Sequence, residues 1–203
     1  MILQRPGGAW ALYVFAHGAG AGMNHPFMRA MADALAAEGI ATLRYDFPYM
    51  AKGSRRIDPP AVLHAAVREA VAAAAAEKLL LFAGGKSMGG RMTSQAQALE
   101  PLEGVRGLAF VGFPLHPAKQ PGTKRADHLR DVRIPMLFLQ GTRDGLADLS
   151  LLTPIVQAHS LATLHVVAGA DHSFHVLKRS GRSDTEVLRE LAKTFAGWAA
   201  RLR

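Results

Sequence analysis

The chain contains no cysteine. That excludes disulfides, thiolate metal sites, cysteine-ligated iron–sulfur clusters and a cysteine nucleophile. Aromatic residues make up only 7% and are not interleaved with basic ones, so no stacking platform for bases is visible. No apolar run approaches the roughly 20 residues that span a bilayer. The longest early one, Trp10 to Ala16, breaks into His17-Gly18 without a basic flank or a cleavage site, so it does not read as a signal peptide. There is also no block of five like charges, no internal repeat and no linker-like tract. These absences point to a cytoplasmic protein without a membrane partner.

What is present is a globular balance. The 203 residues are 49% hydrophobic and 20% charged, long enough for one domain over residues 1–203 with a sizeable core. The 24 Lys and Arg against 16 Asp and Glu give a net charge of +8. The excess is scattered as Arg55-Arg56, Lys124-Arg125, Lys178-Arg179 and the Arg201/Arg203 end. This reads as a solvated basic surface and argues against nucleic acid as the partner. A monomer or a homodimer fits equally.

Short apolar runs recur at Leu12–Phe15, Ile40–Tyr45, Leu79–Ala83, Gly107–Val111, Met136–Gln140 and Thr163–Val167. Several are apolar throughout, as strands buried on both faces of a parallel sheet should be. Helical patterns lie between them. Phe27, Met31 and Leu35 repeat at four-residue steps ahead of Gly39, and Pro59-Pro60 opens a helix over Val62 to Ala76. Met88, Met92, Ala96 and Leu99 make a third, and Leu149, Leu152 and Val156 a fourth. The last starts at a Ser183 or Asp184 cap and carries Leu188, Leu191, Phe195, Trp198 and Leu202 as one stripe. The pattern predicts an α/β fold: a mostly parallel sheet of about six strands with helices on both faces. Ligands of such sheets bind at the carboxyl ends of the strands.

The third strand runs directly into Gly85-Lys86-Ser87-Met88-Gly89, a G-x-S-x-G sequence followed by a helix. A serine on a sharp strand-to-helix turn needs glycine two positions to either side, because side chains there would collide with crowded backbone. Composition alone gives roughly 0.08 chance occurrences of the pattern, so its placement between strand and helix carries the weight. Asp144 follows the Met136–Gln140 strand, and His172 follows the last. The order Ser87, Asp144, His172, each just past a strand end, is that of a nucleophile, an orienting acid and a general base. Asp148 and Asp171 are the fallback acids, and His175 the fallback base. After the first strand, Ala16-His17-Gly18-Ala19-Gly20 leaves the sheet with small residues. The backbone N–H groups of Ala19 and Met88 are the candidate oxyanion donors. His17, Gly18, Gly20 and His116 are candidates for the substrate pocket. His17 reads better as a loop-shaping residue, and His116 equally well as a histidine bonded across the Pro114–Pro117 turn. Asp46 and Tyr49 read as turn residues near the rim. Lys86 and Arg91, flanking the serine, are candidates for attracting a carboxylate. No metal or cofactor is called for.

Two glycine-rich turns invite a nucleotide reading, but neither keeps its spacing. The dinucleotide fingerprint fails because its third glycine position falls on Met23 or His25, and the phosphate-loop pattern puts its first glycine on Leu80.

Taken together, His17-Gly18-Ala19-Gly20, Arg44-Tyr45-Asp46-Phe47-Pro48-Tyr49-Met50, Gly85 to Arg91, Phe113-Pro114-Leu115-His116-Pro117 and Asp171-His172-Ser173-Phe174 resemble the α/β-hydrolase fold. The resemblance spans Ala11 to Arg201. It is to the small lidless branch related to dienelactone hydrolases, which also resembles the testis-expressed protein thirty and the third subunit of the non-specific-lethal complex. It implies Ser87, Asp144 and His172 as the triad, Ala19 and Met88 as the oxyanion hole, and a small acyl compound as substrate. Dienelactone hydrolases proper use cysteine, so their substrate does not carry over. The stretch from Gly112 to Pro135, where larger hydrolases insert a cap, holds only a Pro/Lys-rich connection, so no cap domain is expected. With about ten residues before the first strand, a six-stranded core is expected. The expected function is a serine hydrolase of the carboxylesterase or thioesterase type. The alternative is a catalytically silent scaffold of the same fold.

Overall fold

A computed structural model describes residues 1–203. Seven strands form one sheet. In chain order the elements are β1 (Ile2–Gln4), β2 (Ala11–Ala16), α1 (Pro26–Ala37), β3 (Ile40–Tyr45), α2 (Pro48–Ala51), α3 (Pro60–Ala75), β4 (Leu80–Lys86), α4 (Met88–Leu99), β5 (Val105–Val111), β6 (Met136–Gly141), α5 (Leu149–Gln157), β7 (Ala162–Val167) and α6 (Asp184–Ala200). The strand order across the sheet is β1-β3-β2-β4-β5-β6-β7, and every pairing is parallel except that of β1 with β3. The strand beyond the expected six is β1, a three-residue edge strand. Three residues on an edge, exposed at Leu3, are too short to leave a period-two signature.

Alternate residues of the central strands feed two cores. Leu12, Val14 and Ala16 of β2 join Leu63 and Val67 of α3, Met92 and Ala96 of α4, and Leu152 of α5 on one face. Ala11, Tyr13 and Phe15 face Met31 and Leu35 of α1 and Leu191, Phe195 and Trp198 of α6 on the other. This period-two sorting of apolar residues to both faces is why the strands are apolar throughout. Met28, Met31, Met88 and Met92 are all buried in these layers. On α6 the buried stripe runs through Val187, Leu191, Phe195 and Trp198, while Leu188, and Leu202 just beyond the helix, are only half-buried. The stripe therefore starts one residue earlier than the Leu188 spacing suggested. Ser183 caps this helix in a reciprocal pair with Glu186.

Residues 112–135 hold a single 3₁₀ segment, Lys124–Asp131, which packs against α4. None of them lines the cavity at Ser87, and no cap covers the strand ends. No helix is long and apolar enough to cross a membrane.

Candidate active site

The carboxyl ends of β2, β4, β5, β6 and β7 lie side by side, with Ala16 opposite Gly85, Lys86 opposite Val111 and Gly141 opposite Val167. The three turns that carry Ser87, Asp144 and His172 therefore emerge on one rim. Ser87 sits between β4 and α4 with φ 50° and ψ −119°, a strained conformation for a residue with a Cβ. The tightness of the turn explains its glycines. A Cβ on Gly89 would lie 2.5 Å from the Ala16 carbonyl oxygen and 2.6 Å from that of His17, and a Cβ on Gly85 would meet the Ala16 oxygen more closely still.

The structure brings the three side chains together from positions 85 and 28 residues apart. His172 Nε2 lies 2.9 Å from Ser87 Oγ, and His172 Nδ1 lies 2.7 Å from Asp144 Oδ2. A carboxylate only accepts, so Nδ1 carries the proton and Nε2 faces the serine hydroxyl as an acceptor. Asp144 is buried. Its Oδ1 accepts from the Leu146 N–H at 2.8 Å, and its Oδ2 also accepts from Gln140 Nε2 at 2.5 Å. Gln140 is itself fully buried and fixed by the Phe113 N–H, which donates to its Oε1 at 2.9 Å. Gln140 was missed at the level of sequence. The one available signal was a polar residue closing an apolar strand four positions before Asp144.

The fallback groups are engaged elsewhere. Asp148 caps α5 through the Ser150 N–H, and Asp171 accepts from the Ser173 and His175 N–H groups. His175 pairs with Asp184 at the surface, 2.8 Å away, which raises its pKa above the ordinary histidine value.

The Ala19 N–H makes no hydrogen bond within the protein. Met88 is the first residue of α4, so its N–H has no carbonyl one turn back in the helix. The loop carrying Ala19 is held from behind. Asp46 accepts from the Met23 N–H at 2.6 Å, and the Tyr49 hydroxyl accepts from the Gly20 N–H at 3.1 Å. His17 is fully buried, donating from Nδ1 to the Gly18 carbonyl at 2.7 Å and accepting at Nε2 from the Phe47 N–H at 3.1 Å. Burial lowers its pKa, which keeps it neutral.

A cavity of about 320 Å³ opens over Ser87, with Gly18, Ala19 and Ala21 on one wall, His172 and Ser173 on another, and His25, Phe27, Met28, Lys86 and Leu146 completing it. Of the four pocket candidates only Gly18 lines it. His17 is sealed beneath the loop, and Gly20 is tied to Tyr49 away from the wall. His116 donates from Nδ1 to the Pro117 carbonyl and accepts at Nε2 from the Asp148 N–H, so it pins the chain ahead of α5 instead of facing the cavity. Arg91 lies on α4 near Arg125 and is absent from the cavity wall. A second cavity of about 340 Å³ lies at the amino ends of β6 and β7, among Leu129, Met136, Phe138 and Ile155, and contains none of the triad. No group of three or more His, Asp or Glu side chains is placed to hold a metal ion.

This fold and rim place the chain in a known class: it belongs to the α/β-hydrolase domain family, whose model matches residues 9–200. Among solved structures it is similar to the esterase domain of a Rhodothermus marinus protein, at 20% identity and TM-score 0.70, covering 98% of this chain and 91% of that one. A dienelactone hydrolase from Anabaena variabilis is 23% identical with TM-score 0.72, over 98% of this chain and 89% of the other. A Xanthomonas campestris α/β serine hydrolase without a lid is 19% identical with TM-score 0.71, over 95% and 87%. At these identities the likeness is one of fold.

Proposed function

We propose that the protein is a serine hydrolase that cleaves a small ester, thioester or related acyl compound through an acyl-enzyme on Ser87. The observation that carries this reading is the continuous relay from Asp144 through His172 to Ser87, with both hydrogen bonds under 3 Å. Ser87 Oγ attacks the acyl carbon and passes its proton to His172 Nε2. Asp144 stabilises the imidazolium formed in that step, and the Ala19 and Met88 N–H groups receive the developing oxyanion. His172 then protonates the leaving group. A water molecule, deprotonated by the same nitrogen, releases the acid and restores the serine. The uncapped cavity of about 320 Å³ suits a short acyl group. Its structural neighbours include an esterase domain and a dienelactone hydrolase, which is compatible with this chemistry.

Intact mass after treatment with a fluorophosphonate tests the proposal. One adduct is expected on the wild type and none on Ser87→Ala or His172→Ala, with both variants folded. A folded wild type that takes no adduct refutes it and favours the silent-scaffold alternative.

A further inference from the structure

Lys86 is the one Lys, Arg, Asp or Glu on the wall of the cavity over Ser87, and the reaction scheme above makes no use of it. It immediately precedes the nucleophile and is only 9% exposed. Its Nζ is sealed from water and has no hydrogen-bond partner. The Phe27 and Phe174 rings sit 5.7 and 5.9 Å from Nζ, near the outer limit of a cation–π contact, and offer its three N–H bonds no acceptor. Two carboxylates attract it from a distance, but both are committed elsewhere. Asp144 accepts from His172, Gln140 and the Leu146 N–H, and Asp171 accepts from the Ser173 and His175 N–H groups. Burial lowers the Lys86 pKa to about 8, so at neutral pH the group still carries its charge. A buried ammonium without an acceptor is costly, and an anion delivered to it removes that cost.

We propose that the Lys86 ammonium anchors a carboxylate on the acyl half of the substrate, so that the enzyme cleaves half-esters or half-thioesters of short dicarboxylic acids. The inference rests on the serine-hydrolase reading and narrows it. Lys86 and Ser87 leave the end of β4 side by side. A Cβ on Gly18, in the cavity wall, would lie 3.6 Å from Ser87 Cβ and 3.7 Å from Lys86 Cγ. An acyl group bonded to Ser87 Oγ therefore starts beside the lysine stem. Phe27, which flanks Nζ, also lines the cavity and is only half-buried. Rotation about the terminal bonds of the stem carries Nζ past that ring into the cavity without moving the backbone. The wall holds no Asp or Glu to repel an anion, and the volume of about 320 Å³ limits the spacer between the two acyl ends to a few carbons.

The chemistry of the step is that of the scheme above. Ser87 Oγ bonds to the ester carbon, the alcohol or thiol leaves with the proton from His172, and water frees the dicarboxylate. The ion pair with Lys86 forms on binding and persists through the acyl-enzyme, because the carboxylate stays on the acyl half. An uncharged acyl chain of the same length leaves the ammonium unpaired and is discriminated against for that reason.

The test is kcat/KM at pH 7 for the monoethyl esters of succinic and glutaric acid against ethyl levulinate and ethyl 5-oxohexanoate, read by ethanol release. In each ketone ester a methyl group replaces one carboxylate oxygen, so shape is kept and charge is lost. The wild type should prefer the anionic ester of each pair by about 10- to 100-fold, the range of one charged hydrogen bond. Lys86→Met should bring both ratios close to one, and Lys86→Arg should keep a preference for the anion. A wild type that cleaves the ketone esters as well as the anionic ones overturns the proposal, as does a preference that survives in Lys86→Met. A wild type that cleaves none of the four esters overturns it too. Should the variants fail to fold, the wild-type ratios decide alone. Fluorophosphonate labelling separates this outcome from the reading beneath it. A folded wild type that takes no label removes the serine-hydrolase reading, whereas a labelled enzyme without the anionic preference removes only the role of Lys86.

Discussion

Asp144→Asn is the most informative single substitution, because every neighbour of this carboxylate is a donor. Its Oδ2 accepts from His172 Nδ1 and Gln140 Nε2, and its Oδ1 accepts from the Leu146 N–H. An amide supplies one acceptor and one donor to those three donors. With the amide oxygen at the Oδ2 position, its NH₂ opposes the Leu146 N–H, leaving a buried donor unmet at about 1–3 kcal/mol. With the oxygen at the Oδ1 position, its NH₂ faces Gln140 and His172, and the imidazole must move its proton to Nε2. That tautomer cannot accept from Ser87. In either orientation the charge partner of the imidazolium is gone. At the 2.7 Å separation, a unit pair in an effective dielectric of 20 is worth on the order of 6 kcal/mol. The pair forms only when the imidazole is protonated, in the transition state, so nearly all of this appears in the rate. A loss on the order of 10⁴ in kcat/KM, about 5.4 kcal/mol, is the expected result. The assay is hydrolysis of p-nitrophenyl acetate, with circular dichroism to show the fold retained. Activity within tenfold of wild type would refute the reasoning, since it would mean that neither the tautomer nor the charge of residue 144 governs the base.

Gln140→Leu removes the donor to Asp144 and the acceptor of the Phe113 N–H while keeping the volume. We expect a fall of about 10- to 100-fold in kcat/KM and a stability loss of about 1–3 kcal/mol, read by ester hydrolysis and urea unfolding. His128 bears on acid stability. Desolvation, with Arg91 nearby, lowers its pKa to about 4 from the ordinary 6.5. Between those values the unfolded chain binds the proton that the folded chain refuses. Stability should therefore be fully present above pH 6.5 and fall as the pH drops towards 4. His128→Gln should flatten that slope in unfolding midpoints measured across the interval, and an unchanged slope would contradict the assignment.

Much of the site was legible because its signals are local. Ser87 is identifiable from Gly85 and Gly89, whose absent side chains are demanded by backbone within a few residues of the turn and by the neighbouring β2 end. Asp144 and His172 could be placed at strand ends because the apolar runs before them are long enough to read as strands, although only β6 is buried along its length and β7 lies at the sheet edge. Shorter elements left no such trace. β1 spans three residues, α2 spans four, and the 3₁₀ segment Lys124–Asp131 has no α-helical period.

The amino-acid sequence by itself determined the alternating α/β order, the nucleophile turn and the residue types at the three strand ends. Each of these depends on the spacing of apolar residues and glycines along one stretch of chain. The tertiary structure alone decided which polar groups meet. Gln140 reaches both Asp144 and Phe113, His116 accepts from Asp148 across 32 positions, and His17 accepts from Phe47 across 30. It also decided that the Lys86 ammonium is buried beside the Phe27 and Phe174 rings with no hydrogen-bond partner. Such pairings depend on the parallel register that aligns the strand ends and on loops packed from distant parts of the chain. No local periodicity encodes them, because a hydrogen bond between a side chain and a backbone group 30 residues away places no constraint on the residues between.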